Sequence, residues 1–235
     1  MILKRGILFC LFLTQNVFSL PNGFVYLNDI SPSIVQDMRY FSAHNFVGRV
    51  IKGYYANRCI LTRVAADALA KVQYDLQEKN QRLVVYDCYR PQQSVADFMQ
   101  WSKTSDKRMK VHFYPRENKQ DLFDNGYLAR YSAHSQGSTV DLSIYQAREN
   151  PQGVTTCYAT NRKKEQSVDM GTNYDCLDPS ASIKSKKIIK KAVKNRRRLA
   201  RLMKKYGFKP YSKEWWHFSF RQAPFKKTYF NFPVQ

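Results

Sequence analysis

The sequence is poor in acidic residues and in histidine, and it lacks the closely paired cysteines that build structural zinc sites. Its 235 residues include 18 Asp and Glu, 39 Lys and Arg and four histidines, which gives a formal net charge of +21. No CxxC pair occurs, so a zinc site made of its cysteines is not expected. Internal repeats, low-complexity segments and interdomain linkers are also missing. The length therefore predicts one sizeable domain, or at most two.

Long apolar runs are missing beyond the first 20 residues, which excludes a membrane anchor later in the chain. Residues 1–20 are typical of an export signal: Lys4 and Arg5 supply the positive start, residues 6–13 the apolar core and residues 17–19 a cleavage site. That core is too short to span a bilayer permanently. We therefore expect residues 21–235 to form an exported domain, periplasmic or secreted.

Five cysteines are present, and Cys10 would leave with the signal. An even number of remaining cysteines in an exported chain favours two disulfides. Of the three pairings that four cysteines allow, we favour Cys157–Cys176, which would staple one loop, together with Cys59–Cys88. The alternative is a set of buried free thiols.

Much of the positive charge lies between Lys184 and Lys209. Apolar residues at helical spacing predict a helix over residues 182–206, which Gly207 would end. Its outer face would be almost entirely Lys and Arg. Such a face attracts anionic cell wall, membrane or nucleic acid, or is merely solvated. The basic run lacks aromatic stacking groups, which argues against nucleic acid.

The remaining pattern alternates helices and short strands. Thr62 is the predicted N-cap of a helix over residues 63–79, and the compact apolar run at 83–86 predicts a central strand. Pro91 would open a helix that continues to about Trp101. Further strands are predicted at residues 24–30, 140–145 and 213–220, followed by an aromatic tail at residues 229–233 that packs back on the domain.

Two segments carry the residue types of a metal site. In residues 132–142, a polar turn would set His134 at the entrance of the following strand and Asp141 early within it. Far downstream, His217 offers a second imidazole, with Glu214 three residues before it. Two His and one Asp with an open fourth position are typical of catalytic zinc. The alternative is a capping aspartate with a surface histidine, and the other two histidines, His44 and His112, are expected on the surface.

A glutamate near such a metal that does not bind it is the expected general base. On a strand, however, Glu214 and His217 would point to opposite faces because side chains alternate. Both can reach one metal only if Glu214 lies at the strand mouth or on a bend. The alternative is a glutamate at the surface.

Three more charged residues occupy positions that suit a cleft. Arg90 follows the buried strand and precedes a helix, so it would stabilise an oxyanion or, alternatively, form a salt bridge with Asp87. Asp175 and Asp178 lie in the long connection over residues 146–178, and long connections in compact domains are often functional. Either would bind a substrate ammonium or only solvate the loop.

The motifs at residues 87–91, 132–142 and 214–217 occur in a fixed order. Together they resemble the D-alanyl-D-alanine dipeptidases, the VanX-type zinc peptidases, and the resemblance covers nearly all of the chain after the signal. It implies an α+β fold, a single domain with a mainly antiparallel sheet flanked by helices. That fold is shared with D,D-carboxypeptidases and the zinc domain of hedgehog proteins.

The resemblance also implies one zinc ion per chain and a small dipeptide substrate. The residues so implied are His134, Asp141 and His217 as zinc ligands, Glu214 as base, Arg90 as transition-state stabiliser, and Tyr40, Ser132 and Asp175 as contacts to the charged ends of the dipeptide. The sequence departs from the family pattern at Cys88, where glycine is usual, and in a longer connection before Asp175. These departures leave the exact dipeptide preference open.

The sequence therefore predicts zinc-dependent hydrolysis of D-Ala-D-Ala. One alternative is a carboxypeptidase that acts on peptidoglycan stems. The other is a non-catalytic zinc-bearing module that binds cell wall or nucleic acid through its basic face.

Overall fold

The computed structural model describes residues 19–147, 156–158 and 165–235. Nearly all of the predicted export signal thus lies outside the described residues. Within the described part, no helix combines the length and the apolar character that crossing a membrane requires.

Seven β-strands and five α-helices are found in the described residues. The strands are β1 (Phe24–Tyr26), β2 (Val35–Gln36), β3 (Ile60–Thr62), β4 (Leu83–Asp87), β5 (Thr139–Ile144), β6 (Phe208–Pro210) and β7 (His217–Phe220). The helices are α1 (Leu27–Ile30), α2 (Arg63–Gln77), α3 (Gln92–Ser102), α4 (Lys110–Phe113) and α5 (Lys190–Lys205).

Five strands form the main sheet, in the order β2-β4-β5-β7-β6. Only β2 and β4 pair in parallel, and the other neighbours are antiparallel. A separate antiparallel pair joins β1 to β3. The predicted α+β domain with a mainly antiparallel sheet and flanking helices is confirmed.

Strand β5 lies at the centre of the sheet, and its side chains alternate between two environments. Val140, Leu142 and Ile144 point into the largest apolar cluster. Asp141 lies between them in sequence and therefore points to the opposite face. Every residue of β5 is buried, so this carboxylate is held inside the protein rather than at its surface.

Helix α5 is shorter than the predicted helix, because it begins at Lys190 rather than near residue 182. The hydroxyl of Ser182 accepts the backbone N–H of Lys184, and that of Ser185 accepts the N–H of Lys187. Such local side-chain bonds offer the backbone an alternative to helical hydrogen bonding.

Two strands are also shorter than predicted. The opening strand ends at Tyr26 instead of residue 30, because α1 begins at Leu27. The last strand starts at His217 instead of residue 213. Thr62 does occupy the N-cap position of α2, but its hydroxyl does not cap the helix. It bonds the hydroxyl of Ser138 at 2.7 Å instead.

The aromatic tail packs back on the domain, as predicted. Phe232 stacks on Tyr89 with ring centroids 4.1 Å apart. Beyond it, the backbone N–H of Val234 donates to the carbonyl of Gly53, and the carbonyl of Val234 accepts from Tyr55. The end of the chain is thus bound to the segment that contains Tyr54.

Both favoured cysteine pairings are present in the structure. Cys59 is joined to Cys88, and Cys157 to Cys176, over sequence separations of 29 and 19 residues. The first bridge ties the strand pair β1–β3 to the end of β4. The second fixes the backbone next to Asp175.

Candidate active site

Three adjacent strands bring the central polar residues into one row. The register places Asp141 of β5 opposite Asp87 of β4 on one side and opposite His217 of β7 on the other. Directly opposed residues in antiparallel strands lie on the same face of a sheet with their Cβ atoms about 4.5–5.5 Å apart. Segments that are distant in sequence therefore converge on Asp141.

His134 completes the group from a short 3₁₀ helix, Ala133–Gln136, just before β5. Its Nε2 lies 3.3 Å from Asp141 Oδ1 and 3.3 Å from His217 Nδ1. His217 Nδ1 lies 3.1 Å from the same carboxylate oxygen. Among the described residues, these three form the cluster able to hold a metal ion, with all ligand atoms within 4.8 Å. His44 and His112 lie outside it, as predicted.

The spacing of these three atoms fits a small divalent ion. Zinc binds nitrogen and oxygen ligands tetrahedrally at about 2.0–2.1 Å, which separates neighbouring ligand atoms by about 3.3–3.4 Å. Asp141 Oδ1 is also buried without a hydrogen-bond partner among the described residues. A buried carboxylate oxygen without a partner is costly, and a cation in the triad would satisfy it.

The backbone also prepares His134 for metal binding. Its Nδ1 lies 2.7 Å from the carbonyl oxygen of Cys88. A carbonyl only accepts hydrogen bonds, so Nδ1 carries the proton and the Nε2 lone pair is available to a metal ion.

Glu214 lies just before β7, so the alternation of a strand does not apply to it. Its Oε2 is 3.6 Å from His217 Nδ1, and the side chain lines the same cavity as the triad. Burial, reinforced by the negative charges of Asp141 and Asp175, raises the pKa of Glu214 well above its ordinary value. Glu214 and His217 can therefore reach the same cavity, because the chain turns between Glu214 and the start of β7.

Arg90 combines the two roles considered for it. Its Nε and Nη2 donate to Asp87 Oδ2 at 2.9 and 2.8 Å, which is the salt bridge. The same guanidinium lies against the ring of Tyr40, reaches within 3.8 Å of Asp141 and lines the cavity. The ion pair with Asp87 thus holds a fixed positive charge beside the triad.

The residues expected to contact a substrate line the same cavity, which has a volume of about 430 Å³. Asp175 accepts a hydrogen bond from the Tyr40 hydroxyl at 3.0 Å, and its own backbone is left-handed, with φ of 54°. Burial, with the charge of Asp141 next, raises the pKa of Asp175 well above its usual range. Ser132 is 4% exposed and also lines the cavity.

Asp178, the other candidate in the long connection, does not line this cavity. It accepts hydrogen bonds from Arg116 and from the backbone N–H of Ser180. Of the two aspartates, only Asp175 lines the cavity.

Two residues near the triad were missed from the sequence. Asp87 was considered only as a partner of Arg90, yet its Oδ2 also lies 3.5 Å from His134 Nδ1, and its Oδ1 accepts the hydroxyl of Tyr54 at 2.6 Å. Tyr174 donates its hydroxyl to Asp141 Oδ2 at 3.2 Å. Asp87 could have been found from its motif, whereas no pattern marked Tyr174.

Comparison with known proteins agrees with this geometry. Residues 21–235 match the family model described as D-ala-D-ala dipeptidase. The chain belongs to the D-Ala-D-Ala dipeptidase family. It is 33% identical over 216 residues to the D-alanyl-D-alanine dipeptidases of Streptomyces coelicolor and Enterococcus faecalis, matches that cover 92% of this chain and 100% of each relative. The Escherichia coli D-alanyl-D-alanine dipeptidase is 29% identical over 194 residues, 83% of this chain and 82% of that protein.

Membership in the D-Ala-D-Ala dipeptidase family confirms the resemblance inferred from the three motifs. It also confirms that the chain is a peptidase and that its substrates are small peptides. The non-catalytic binding module considered above is therefore set aside.

Proposed function

We propose that this protein is a zinc dipeptidase that hydrolyses free D-Ala-D-Ala. The observation that carries the proposal is the convergence of His134, Asp141 and His217 with Glu214 and Arg90 on one cavity. A zinc ion bound by the triad would polarise the scissile carbonyl and increase the acidity of the attacking water.

The protein side chains supply the proton transfer and the charge stabilisation. The Glu214 carboxylate, buried beside His217, takes the proton of the attacking water and then delivers it to the leaving amine. Arg90, fixed by Asp87, directs its positive charge at the oxygen where negative charge develops in the transition state. Because both groups are held in place before substrate arrives, little reorganisation is needed.

The cavity also offers partners for both ends of a free dipeptide. Asp175, oriented by Tyr40, presents a carboxylate for the substrate ammonium. Ser132, which lines the cavity, offers a hydroxyl as a donor for the substrate carboxylate. Since an acylated N-terminus has no ammonium for Asp175, free dipeptides should be preferred over longer peptidoglycan stems.

A substrate panel tests the assignment. We expect turnover of D-Ala-D-Ala to exceed that of N-acetyl-D-Ala-D-Ala and of L-Ala-L-Ala by at least about 100-fold, the order expected when a site loses a charged partner or the correct geometry. Equal rates on the free and acetylated compounds would identify a D,D-carboxypeptidase instead.

The base is tested by Glu214→Gln, which keeps the size of the side chain. We expect turnover to fall by about 10²–10⁴-fold, while metal content measured by native mass spectrometry stays at one zinc per chain. Glu78→Gln, at an exposed position on the C-terminal side of α2, is the matched control and should leave turnover unchanged. If Glu214→Gln hydrolysed the substrate as fast as the wild-type protein does, Glu214 could not be the general base.

We also propose that the protein is exported to the periplasm or secreted. The proposal is supported by the charge and apolar pattern of residues 1–20 and by two cysteine pairs, since disulfides persist in oxidising compartments. The test is the intact mass of the protein recovered outside the cytoplasm. We expect the mass of a chain that starts near residue 21 and carries two disulfides, and an uncleaved, reduced chain would refute the proposal.

A further inference from the structure

One face of α5 carries a straight row of positive charges. Its five residues recur at intervals of four, three, four and three, which places them on one side of a helix. They are all exposed and form what we call the basic stripe: Lys190, Lys194, Arg197, Arg201 and Lys204. The opposite side of α5 packs into the core through Ala192, Leu199 and Met203. The stripe extends for about 21 Å, at 1.5 Å per residue.

The charge of the basic stripe is not neutralised within the described part of the protein. No ion pair joins any of its five residues to a described acidic residue, and residues 179–213 contain no Asp or Glu at all. The neighbouring side of α5 differs, because Lys205 pairs with Asp75 of α2 at 2.6 Å and Arg198 donates to Gln81. Like charges one turn apart destabilise a helix, so an anionic partner would relieve the repulsion along the stripe.

An exposed apolar side chain lies at one end of the basic stripe. Ile189, directly before α5, is 47% exposed. Lys186 and Lys187 precede it and are exposed as well. An isoleucine among lysines suits the boundary between lipid headgroups and acyl chains, where the charges meet phosphates and the apolar group leaves water. A water-soluble polyanion would offer no such environment to Ile189.

We propose that the basic stripe and Ile189 form a docking surface for an anionic phospholipid membrane. The flat bilayer surface can contact a straight row of about 21 Å along its whole length, and clusters of four to eight basic residues on a helix are typical of binding to acidic headgroups. The stripe lacks aromatic residues that would stack on nucleic-acid bases. None of these residues belongs to the candidate active site, so the proposal does not depend on the proposed dipeptidase activity.

Vesicle binding tests the proposal with the full-length protein. Sedimentation with phosphatidylglycerol–phosphatidylcholine vesicles should show binding at low salt that is lost at high salt and absent with pure phosphatidylcholine. Neutralising the stripe with Lys190→Gln, Lys194→Gln, Arg197→Gln, Arg201→Gln and Lys204→Gln should weaken the partition coefficient by at least about 100-fold, since each residue near an anionic surface contributes about fivefold.

The matched control removes the same charge elsewhere on the surface. Glutamine at the exposed residues Lys71, Lys103, Lys107, Lys226 and Lys227 lowers the net charge equally and should reduce binding much less. Equal losses in the two variants would show that net charge alone causes binding and would overturn the proposal. Thermal unfolding of both variants verifies that each is folded.

Ile189→Ser separates a lipid partner from a soluble polyanion. We expect it to weaken vesicle binding at least twofold and to leave binding to inorganic polyphosphate unchanged. Binding to polyphosphate that is tighter than binding to vesicles at the same salt concentration, or an unchanged affinity of Ile189→Ser for vesicles, would refute the lipid assignment.

Discussion

Replacing Tyr174 with phenylalanine should weaken metal binding without unfolding the protein. The Tyr174 hydroxyl donates to Asp141 Oδ2 at 3.2 Å, inside a site where the tyrosine is fully buried. Phenylalanine retains the stacking on Tyr86, with ring centroids 4.6 Å apart, and the edge contact with Trp216 at 5.5 Å. The hydrogen bond to the carboxylate is lost, together with the 3.5 Å contact between the hydroxyls of Tyr174 and Tyr40.

The magnitude follows from the charge of the acceptor. A hydrogen bond to a charged group contributes about 1.5–3 kcal/mol, and removing a partner of a metal ligand typically weakens metal binding about 10–100-fold. We therefore expect the zinc dissociation constant of Tyr174→Phe to rise about 10–100-fold. A competition titration with a chromophoric chelator measures this directly and does not depend on catalytic turnover.

Tyr114→Phe is the matched control for this experiment. Tyr114 is also a buried tyrosine, but its hydroxyl has no hydrogen-bond partner among the described residues and it lies outside the site. Its substitution should leave zinc affinity unchanged. Wild-type zinc affinity in Tyr174→Phe, or an equal loss in both variants, would refute the role of the hydroxyl in holding Asp141.

Three further predictions concern catalysis and stability. Arg90→Lys should lower kcat about 10²–10³-fold with a smaller change in KM, because an ammonium cannot reproduce the planar guanidinium; steady-state kinetics measures both. Burial alone would raise the pKa of Asp97, but the hydrogen bonds from Arg49 lower the pKa below its ordinary value overall. Its carboxylate therefore stabilises the fold above about pH 4 and loses that effect as the pH falls through the lowered pKa, so urea unfolding of Asp97→Asn should vary less over that range. Replacing both Cys157 and Cys176 with serine should lower the free energy of unfolding by about 3 kcal/mol, because the disulfide joins residues 19 positions apart. Urea denaturation measures this change.

The convergence of His134, Asp141 and His217 could be predicted from the sequence because these residue types are scarce and occur in recognisable patterns. The chain has four histidines, and two of them fall in segments that also carry carboxylates. The short apolar run at residues 140–144 predicted a strand that contains Asp141, and the structure then showed that this residue lies opposite His217. The position of Glu214 was left open, because only the fold shows that β7 begins after it.

Tyr174 could not be predicted by the same reasoning. It is one of 16 tyrosines and lies in a long connection without helical or strand periodicity. Its contact with Asp141 arises from tertiary folding, since 33 residues separate the two in sequence. The predicted start of α5, at residue 182, was too early for a different reason. The hydroxyls of Ser182 and Ser185 bond nearby backbone N–H groups and so compete with helix formation.

The aromatic tail is linked to the candidate active site through Tyr54. Val234 holds the segment that contains Tyr54, and Tyr54 in turn holds Asp87 through a hydrogen bond of 2.6 Å. Asp87 pairs with Arg90 at 2.8 Å and lies 3.5 Å from His134 Nδ1. Removing residues 234 and 235 would break the first link of this series, so we expect slower hydrolysis although neither residue lines the cavity.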